Sequence, residues 1–166
     1  MTSSIRVTAC SGDILQAYVS ALVNPVNAVG VMGKGLALQF KKAYPAMFAA
    51  YKQACHSGDL AVGRMHVWDA GAAAQPRYVI NFPTKELWRS RSRIEDIDAG
   101  LIDLVATVQR LGIASLAIPA LGAGLGGLEW ADVEPRIRRA FADAPGVSLF
   151  LYPPHPPQQQ PVLNGS

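Results

Sequence analysis

Two glycine-rich stretches hold the residue types that can cradle an anion. One is Asn24-Pro-Val-Asn-Ala-Val-Gly-Val-Met-Gly-Lys-Gly35, where Asn24 and Asn27 precede Gly30, Gly33 and Gly35. The other is Leu121-Gly-Ala-Gly-Leu-Gly-Gly-Leu-Glu-Trp130. Each follows an apolar run that reads as a buried strand, Ala21-Leu-Val23 and Ser115-Leu-Ala-Ile-Pro119. Glycine lets main-chain N–H groups turn toward a ligand with no Cβ in the way. A strand-to-helix loop of this composition therefore presents N–H groups to a phosphate. A single loop of this kind is equally consistent with glycines that only serve tight turns. Two of them, each behind a strand, suggest one diphosphate held between them.

Lys85 follows Asn81-Phe-Pro-Thr84. A lysine is most often a solvated surface cation, but at the lip of a partly closed pocket it loses solvation and holds its proton less tightly. Both readings stand at the level of the residues. Trp88-Arg-Ser-Arg-Ser-Arg93 interleaves an aromatic ring with Arg89, Arg91 and Arg93. That suits phosphate contacts and base stacking along a strand of nucleic acid; it is also what an ordinary basic loop before a helix looks like. Lys34 is placed either to pair with phosphate or to sit in solvent. Asp13 stands where an Asp commonly caps a turn or helix start. Paired carboxylates of the ordinary glycosidase kind are not evident, and Glu129 and Asp132 suit the start of the helix beside them. His56, His66 and His155 are isolated from one another, so no metal site is expected.

The elements that must position these residues alternate. Strands are predicted at Ile5–Ala9, Ala21–Pro25, Met65–Trp68, Tyr78–Phe82, Ser115–Pro119 and Val147–Tyr152. Helices are predicted at Gly35–Lys42 and Met47–Cys55, with Pro45 between them. A longer helix is marked by Ile94, Ile97, Leu101, Leu104, Val105, Val108 and Leu111 at helical intervals, and Gly112 closes it. Ser92-Arg-Ile-Glu95 before it has capping-box spacing, and a last helix is read over Trp130–Ala142. Strands alternating with helices point to a layered α/β fold with a largely parallel or mixed sheet. In such folds ligands sit beyond the carboxyl ends of the strands, where both glycine loops and Pro83-Thr-Lys85 fall.

Half of the 166 residues are hydrophobic and 16% are charged, which excludes a disordered chain and leaves one folded domain as the default. A net charge of +3 tolerates a polyanionic partner without demanding one. Cys10 and Cys55 are far apart and no secretory h-region precedes them, so free thiols in a reducing, cytoplasmic setting are expected. No apolar run is long enough to span a membrane. Residues 153–166, rich in proline and glutamine, read as a polar tail or linker behind a domain of residues 1–152.

Gly12-Asp-Ile14, the first loop and Gly122-Ala-Gly-Leu-Gly-Gly127 together resemble the macrodomain family, whose members bind ADP-ribose on a three-layer α/β/α fold with a central mixed sheet. Asn81-Phe-Pro-Thr-Lys85, Trp88-Arg89 and Leu125-Gly-Gly-Leu-Glu-Trp130 are similar to its DarG-like group, the antitoxins paired with DarT-like toxins. That resemblance implies a hydrolase needing no cofactor, which removes ADP-ribose from thymine bases of single-stranded DNA. The alternatives are a hydrolase of protein- or ester-linked ADP-ribose and a binding module without chemistry. The implied partners are ADP-ribose, ADP-ribosylated single-stranded DNA and a cognate DarT-like toxin.

Carried over residue by residue, Asp13 is expected to hold the adenine amino group, with the Ile14 N–H assisting. Asn27 is expected on the distal ribose, and Gly33, Lys34 and Gly35 over that ribose and its phosphate. Leu121 and Gly122, then Ala123, Gly124, Leu125 and Gly126, belong to the diphosphate loop, and Tyr152 to the adenine side. Lys85 matches the catalytic lysine of the group, with Asn27 beside it. As a neutral amine it attacks the anomeric carbon and forms a Schiff base with the opened sugar; as a cation it stabilises the leaving base. One departure is Gly127, where vertebrate members carrying the lysine have an Asp. DarG-like members lack that Asp as well.

Overall fold

Alternation along the central strands sets the layering. In β2 (Ala21–Asn27), Ala21 and Val23 point to one side of the sheet and Leu22 and Val26 to the other. The computed structural model of the chain describes residues 5–154, so the tail predicted over 153–166 lies outside the described residues from 155 onward. The other strands are β1 (Arg6–Ala9), β3 (His66–Asp69), β4 (Tyr78–Lys85), β5 (Ser115–Ile118) and β6 (Ser148–Leu151). They form one six-stranded sheet in the order β1-β6-β5-β2-β4-β3. All neighbours are parallel except β3, which runs antiparallel to β4 at the edge.

Helices α1 (Gly35–Ala43) and α2 (Pro45–Ser57) cover one face through Phe40, Met47 and Tyr51, packed with Leu22, Val26 and Val79. Helices α3 (Ile94–Leu111) and α4 (Trp130–Ala140) cover the other through Leu101, Leu104, Val133 and Ile137, against Val23, Ile80, Phe82 and Leu116. The central strands β2, β4 and β5 are buried on both faces, as in a mostly parallel sheet covered by helices. The result is the expected α/β/α sandwich. No helix among the described residues is long and apolar enough to cross a membrane.

Three elements depart from expectation in ways that bear on the site. Strand β2 runs on to Asn27 rather than ending at Pro25. Strand β4 runs through Pro83 and Thr84 to Lys85 rather than ending at Phe82. Pro83 is tolerated because β3 pairs with β4 only over residues 78–81, so no neighbour on that side needs an N–H from Pro83. The capping box does not form. The residue before α3 is Arg93, no side chain caps the helix, and Ser92 instead donates its N–H to the Gly126 carbonyl at 3.0 Å. The last helix is also shorter than predicted, ending at Ala140 before a 3-10 turn at Phe141–Asp143.

Gly100 fixes how closely α3 lies on β4. A Cβ there would stand 2.3 Å from the Phe82 ring, so only glycine lets the helix settle onto the strand that carries Lys85. Asn24, Asn81 and His66 meanwhile form a polar line across β2, β4 and β3. Asn24 Nδ2 donates to Asn81 Oδ1 at 3.1 Å, and Asn81 Nδ2 lies 3.1 Å from His66 Nδ1.

Candidate active site

The carboxyl ends of β2, β4, β5 and β6 open onto one cavity of about 1020 Å³. That matches the upper end of small-molecule sites, roughly 300–1,000 Å³. Parallel register decides what lies at its floor: Asn27, the last residue of β2, is the register partner of Lys85, the last residue of β4, across an irregularity after Val26. Asp13, Ile14, Asn27, Gly33, Lys34, Gly35, Lys85, Trp88, Gly122, Ala123, Gly124, Leu125, Gly126 and Tyr152 all line the cavity. Leu121, Arg89, Arg91 and Arg93 do not.

The first loop is pinned by Asn27. Its Oδ1 accepts the N–H groups of Val29 and Val31 at 3.2 and 3.3 Å, and its Nδ2 donates to the Val31 carbonyl at 2.7 Å. From inside α2, the hydroxyl of the fully buried Tyr51 donates toward both Asn27 oxygens, at 2.7 Å to the main chain and 2.8 Å to Oδ1. Burial pushes the acidity of that phenol far out of reach, so it stays a donor. Asn27 Oδ1 is thus taken up within the protein, and one amide hydrogen is left to meet a ligand.

Lys85 is half-buried and holds its proton less tightly than an ordinary lysine. Burial is the larger cause and the positive charge of Lys34 adds to it. Among the described residues neither lysine makes an ion pair. Lys34 Nζ instead lies 5.9 Å from the centre of the Trp88 ring, and the Arg89 guanidinium lies 5.5 Å from it.

In the second loop the N–H groups of Gly124, Leu125 and Gly126 make no internal hydrogen bond among the described residues and are free for an anion. Two neighbours spend their N–H groups within the protein. Leu121 buries its side chain completely in the core and donates its N–H to the Pro119 carbonyl at 2.8 Å; Ala123, which lines the cavity, donates its own to Ala120 at 3.0 Å. Ser92 backs the loop so tightly that a Cβ on Gly126 would stand 2.4 Å from its hydroxyl. The three arginines are fully on the surface, and Arg93 is only loosely paired with the exposed Glu95 at 3.9 Å.

At the far end Asp13 does two things. Its Oδ1 accepts the Leu15 N–H at 2.9 Å and caps the short turn at Ile14–Gln16, as a cap reading expects. Oδ2 and the Ile14 N–H have no protein partner among the described residues, and both residues line the cavity. Tyr152, held by its N–H to Ile118 at 2.9 Å, closes this side with Cys10. Tyr51 and Ser92 are the functional supports that the sequence did not reveal, because both act on loops distant in the chain. Val31 is the other omission: it lies within the first loop but carries no chemistry of its own.

The family model of the Macro domain matches residues 23–137. A DNA ADP-ribosyl glycohydrolase of Mycobacterium tuberculosis is 54% identical over 148 residues, which is 89% of this chain and 42% of that protein. This chain therefore spans less than half the length of that curated relative. Among solved structures, the macrodomain of Mycobacterium tuberculosis DarG superposes with a TM-score of 0.89 at 53% identity, covering 92% of this chain and 100% of that one. Thermosipho africanus DarTG in complex with ADP-ribose superposes with a TM-score of 0.83 at 32% identity, covering 93% of this chain and 43% of that one.

Proposed function

The chain belongs to the Macro domain family, and on that footing we propose that it removes ADP-ribose from thymine bases of single-stranded DNA, as antitoxin to a DarT-like DNA ADP-ribosyltransferase. The observation that carries this reading is the pairing of Asn27 with Lys85 at the floor of a cavity whose other walls are the two glycine loops. Adenine sits against Asp13 Oδ2 and the Ile14 N–H, and the diphosphate takes the free N–H groups of Gly124, Leu125 and Gly126. The distal ribose then reaches Asn27 Nδ2 and Lys85.

Lys85 acts as the nucleophile in this reading. Partial burial and the charge of Lys34 favour its neutral amine, whose lone pair bonds to the anomeric carbon while the bond to the base nitrogen breaks. The base leaves with the electron pair and takes the proton that the attacking nitrogen sheds. The nitrogen lone pair then expels the ring oxygen, which takes a proton from water, and a protonated Schiff base with the opened sugar results. Water adds to its carbon, the amine leaves and the sugar recloses, releasing ADP-ribose and restoring Lys85. The relatives named DNA ADP-ribosyl glycohydrolase support the substrate class, and the DarTG structure with ADP-ribose supports the ligand and the toxin partner.

The test is incubation with an ADP-ribosylated single-stranded oligonucleotide, followed by mass measurement of the DNA. Wild type should restore the unmodified base, and Lys85→Ala should not while still binding ADP-ribose. Release of ADP-ribose from modified protein but never from DNA would move the assignment to a protein- or ester-directed hydrolase.

A further inference from the structure

We propose that Val31, Trp88 and Leu125 form a subsite for the leaving nucleobase, with the Trp88 indole as its stacking plane; this rests on the DNA-repair reading above. Among the described residues only seven large apolar side chains stand exposed, and these three, at 40%, 46% and 70%, line the same cavity. They come from the first glycine loop, the segment after β4 and the second glycine loop, so no single helix or turn explains why they gather there. Exposed apolar side chains that line one cavity mark a contact with something apolar.

Their placement points to the leaving group rather than to ADP-ribose itself. Trp88 is three residues beyond Lys85, the nucleophile of the proposed reaction, and both line the cavity. Leu125 leans across to the first loop, where a Cβ on Gly35 would stand 2.9 Å from its Cδ1. Val31 is held in place through both its N–H and its carbonyl by Asn27. A group leaving the distal ribose thus emerges between an indole and two aliphatic side chains.

The chemistry of that surface selects a base over a protein side chain. A nucleobase offers a flat uncharged face that stacks on an indole whatever its sequence. A carboxylate leaving group is charged and hydrated, and gains nothing from Val31 or Leu125. Lys34 and Arg89, at 5.9 and 5.5 Å from the ring centre, put two cations at the indole with which the phosphates of a strand can pair.

The experiment compares wild type, Trp88→Phe and Trp88→Ala on an ADP-ribosylated oligonucleotide and on an ADP-ribose ester with a small acyl group. The preference for DNA, as a ratio of kcat/KM values, should fall about tenfold in Trp88→Ala and be largely rescued in Trp88→Phe. An equal loss on both substrates, or no loss, overturns the proposal. A second measurement does not depend on repair at all. An unmodified thymidine oligonucleotide should quench the tryptophan fluorescence of wild type and lose most of that quenching in Trp88→Phe, where Trp68 and Trp130 remain as background. Absence of quenching in wild type overturns the subsite even if repair is intact. Quenching without repair leaves the subsite standing and removes the repair reading instead.

Discussion

The hydroxyl of Tyr51, buried in α2, lies 2.7 Å from the main-chain oxygen of Asn27 and 2.8 Å from its side-chain oxygen. Asn27 in turn holds Val29 and Val31, so one core phenol sets the shape of the first glycine loop. Tyr51→Phe keeps the volume and removes only the donor. It should cost about 1 kcal/mol of stability, the ordinary value of one hydrogen bond. It should also lower kcat more than it weakens ADP-ribose, because in the proposed reaction the loop positions the sugar against Lys85. Thermal unfolding together with a split of kcat from KM checks both parts; equal losses in binding and turnover would reduce Tyr51 to packing.

Lys34 and Lys85 share the cavity with no carboxylate paired to either among the described residues. Burial and the Lys34 charge both lower the proton affinity of Lys85, so its neutral form is reached at lower pH than for a free lysine. If the neutral amine is the nucleophile, kcat/KM rises with pH through that ionisation. Lys34→Met removes one of the two causes and should move the rising limb to higher pH. A pH–rate profile on modified DNA decides it, and a limb that stays in place would leave burial as the whole cause.

Much of this site is legible in the sequence because its chemistry is local. The glycine loops, Lys85 and Asp13 stand within short segments bounded by strands, and the apolar periodicity from Ile94 to Leu111 marks the full length of α3. What escapes a reading of the sequence depends on partners far along the chain. Ser92 has the spacing of a helix cap relative to Glu95, yet the second loop folds against it and takes its N–H through Gly126. Leu121 sits inside a loop of ligand-binding composition, but its side chain is needed in the core and its N–H by Pro119. Tyr51 falls on the apolar stripe of α2, and nothing in a helical stripe says where a phenol's proton goes. By its apolar pattern alone Lys85 falls beyond its strand, whereas pairing with β2 carries β4 through Pro83 and makes Lys85 the last strand residue.

His66 gives the fold a pH dependence separate from catalysis. Burial lowers its pKa below the ordinary histidine value, with the charge of Asp59 opposing in part. Asn81 Nδ2 faces His66 Nδ1, and its Oδ1 is occupied by Asn24, so the amide cannot turn over to suit a protonated ring without losing that bond. The unfolded chain therefore takes up the proton first as pH falls. Stability is complete above the ordinary histidine range and declines below it until the folded ring also protonates. Unfolding temperature followed from about pH 7.5 to about pH 5 should show that decline. His66→Gln should flatten it, and an unchanged profile in the variant would place the titration elsewhere.

Replacing Arg89, Arg91 and Arg93 should separate a DNA substrate from a protein one. All three are exposed and outside the cavity, so none is needed to hold ADP-ribose. The segment carrying them is nonetheless fixed to the site, since Ser92 donates its N–H to the carbonyl of Gly126 in the second glycine loop at 3.0 Å. A strand whose modified base enters at Trp88 would run its phosphates along these guanidinium groups, each neutralised phosphate releasing counterions. Replacing the three with Ala should therefore spare free ADP-ribose affinity and raise KM for modified DNA. The log–log salt slope of DNA binding should become shallower by roughly 0.7 for each single-strand phosphate that is no longer neutralised. Arg93 should contribute least, because its loose pairing with Glu95 at 3.9 Å already offsets part of its charge. Binding titrations at several salt concentrations, set beside calorimetry with ADP-ribose, measure both effects. A triple variant that matches wild type at every salt concentration would make the segment a solvated turn, and faster release from modified protein than from DNA would then favour the protein-directed alternative.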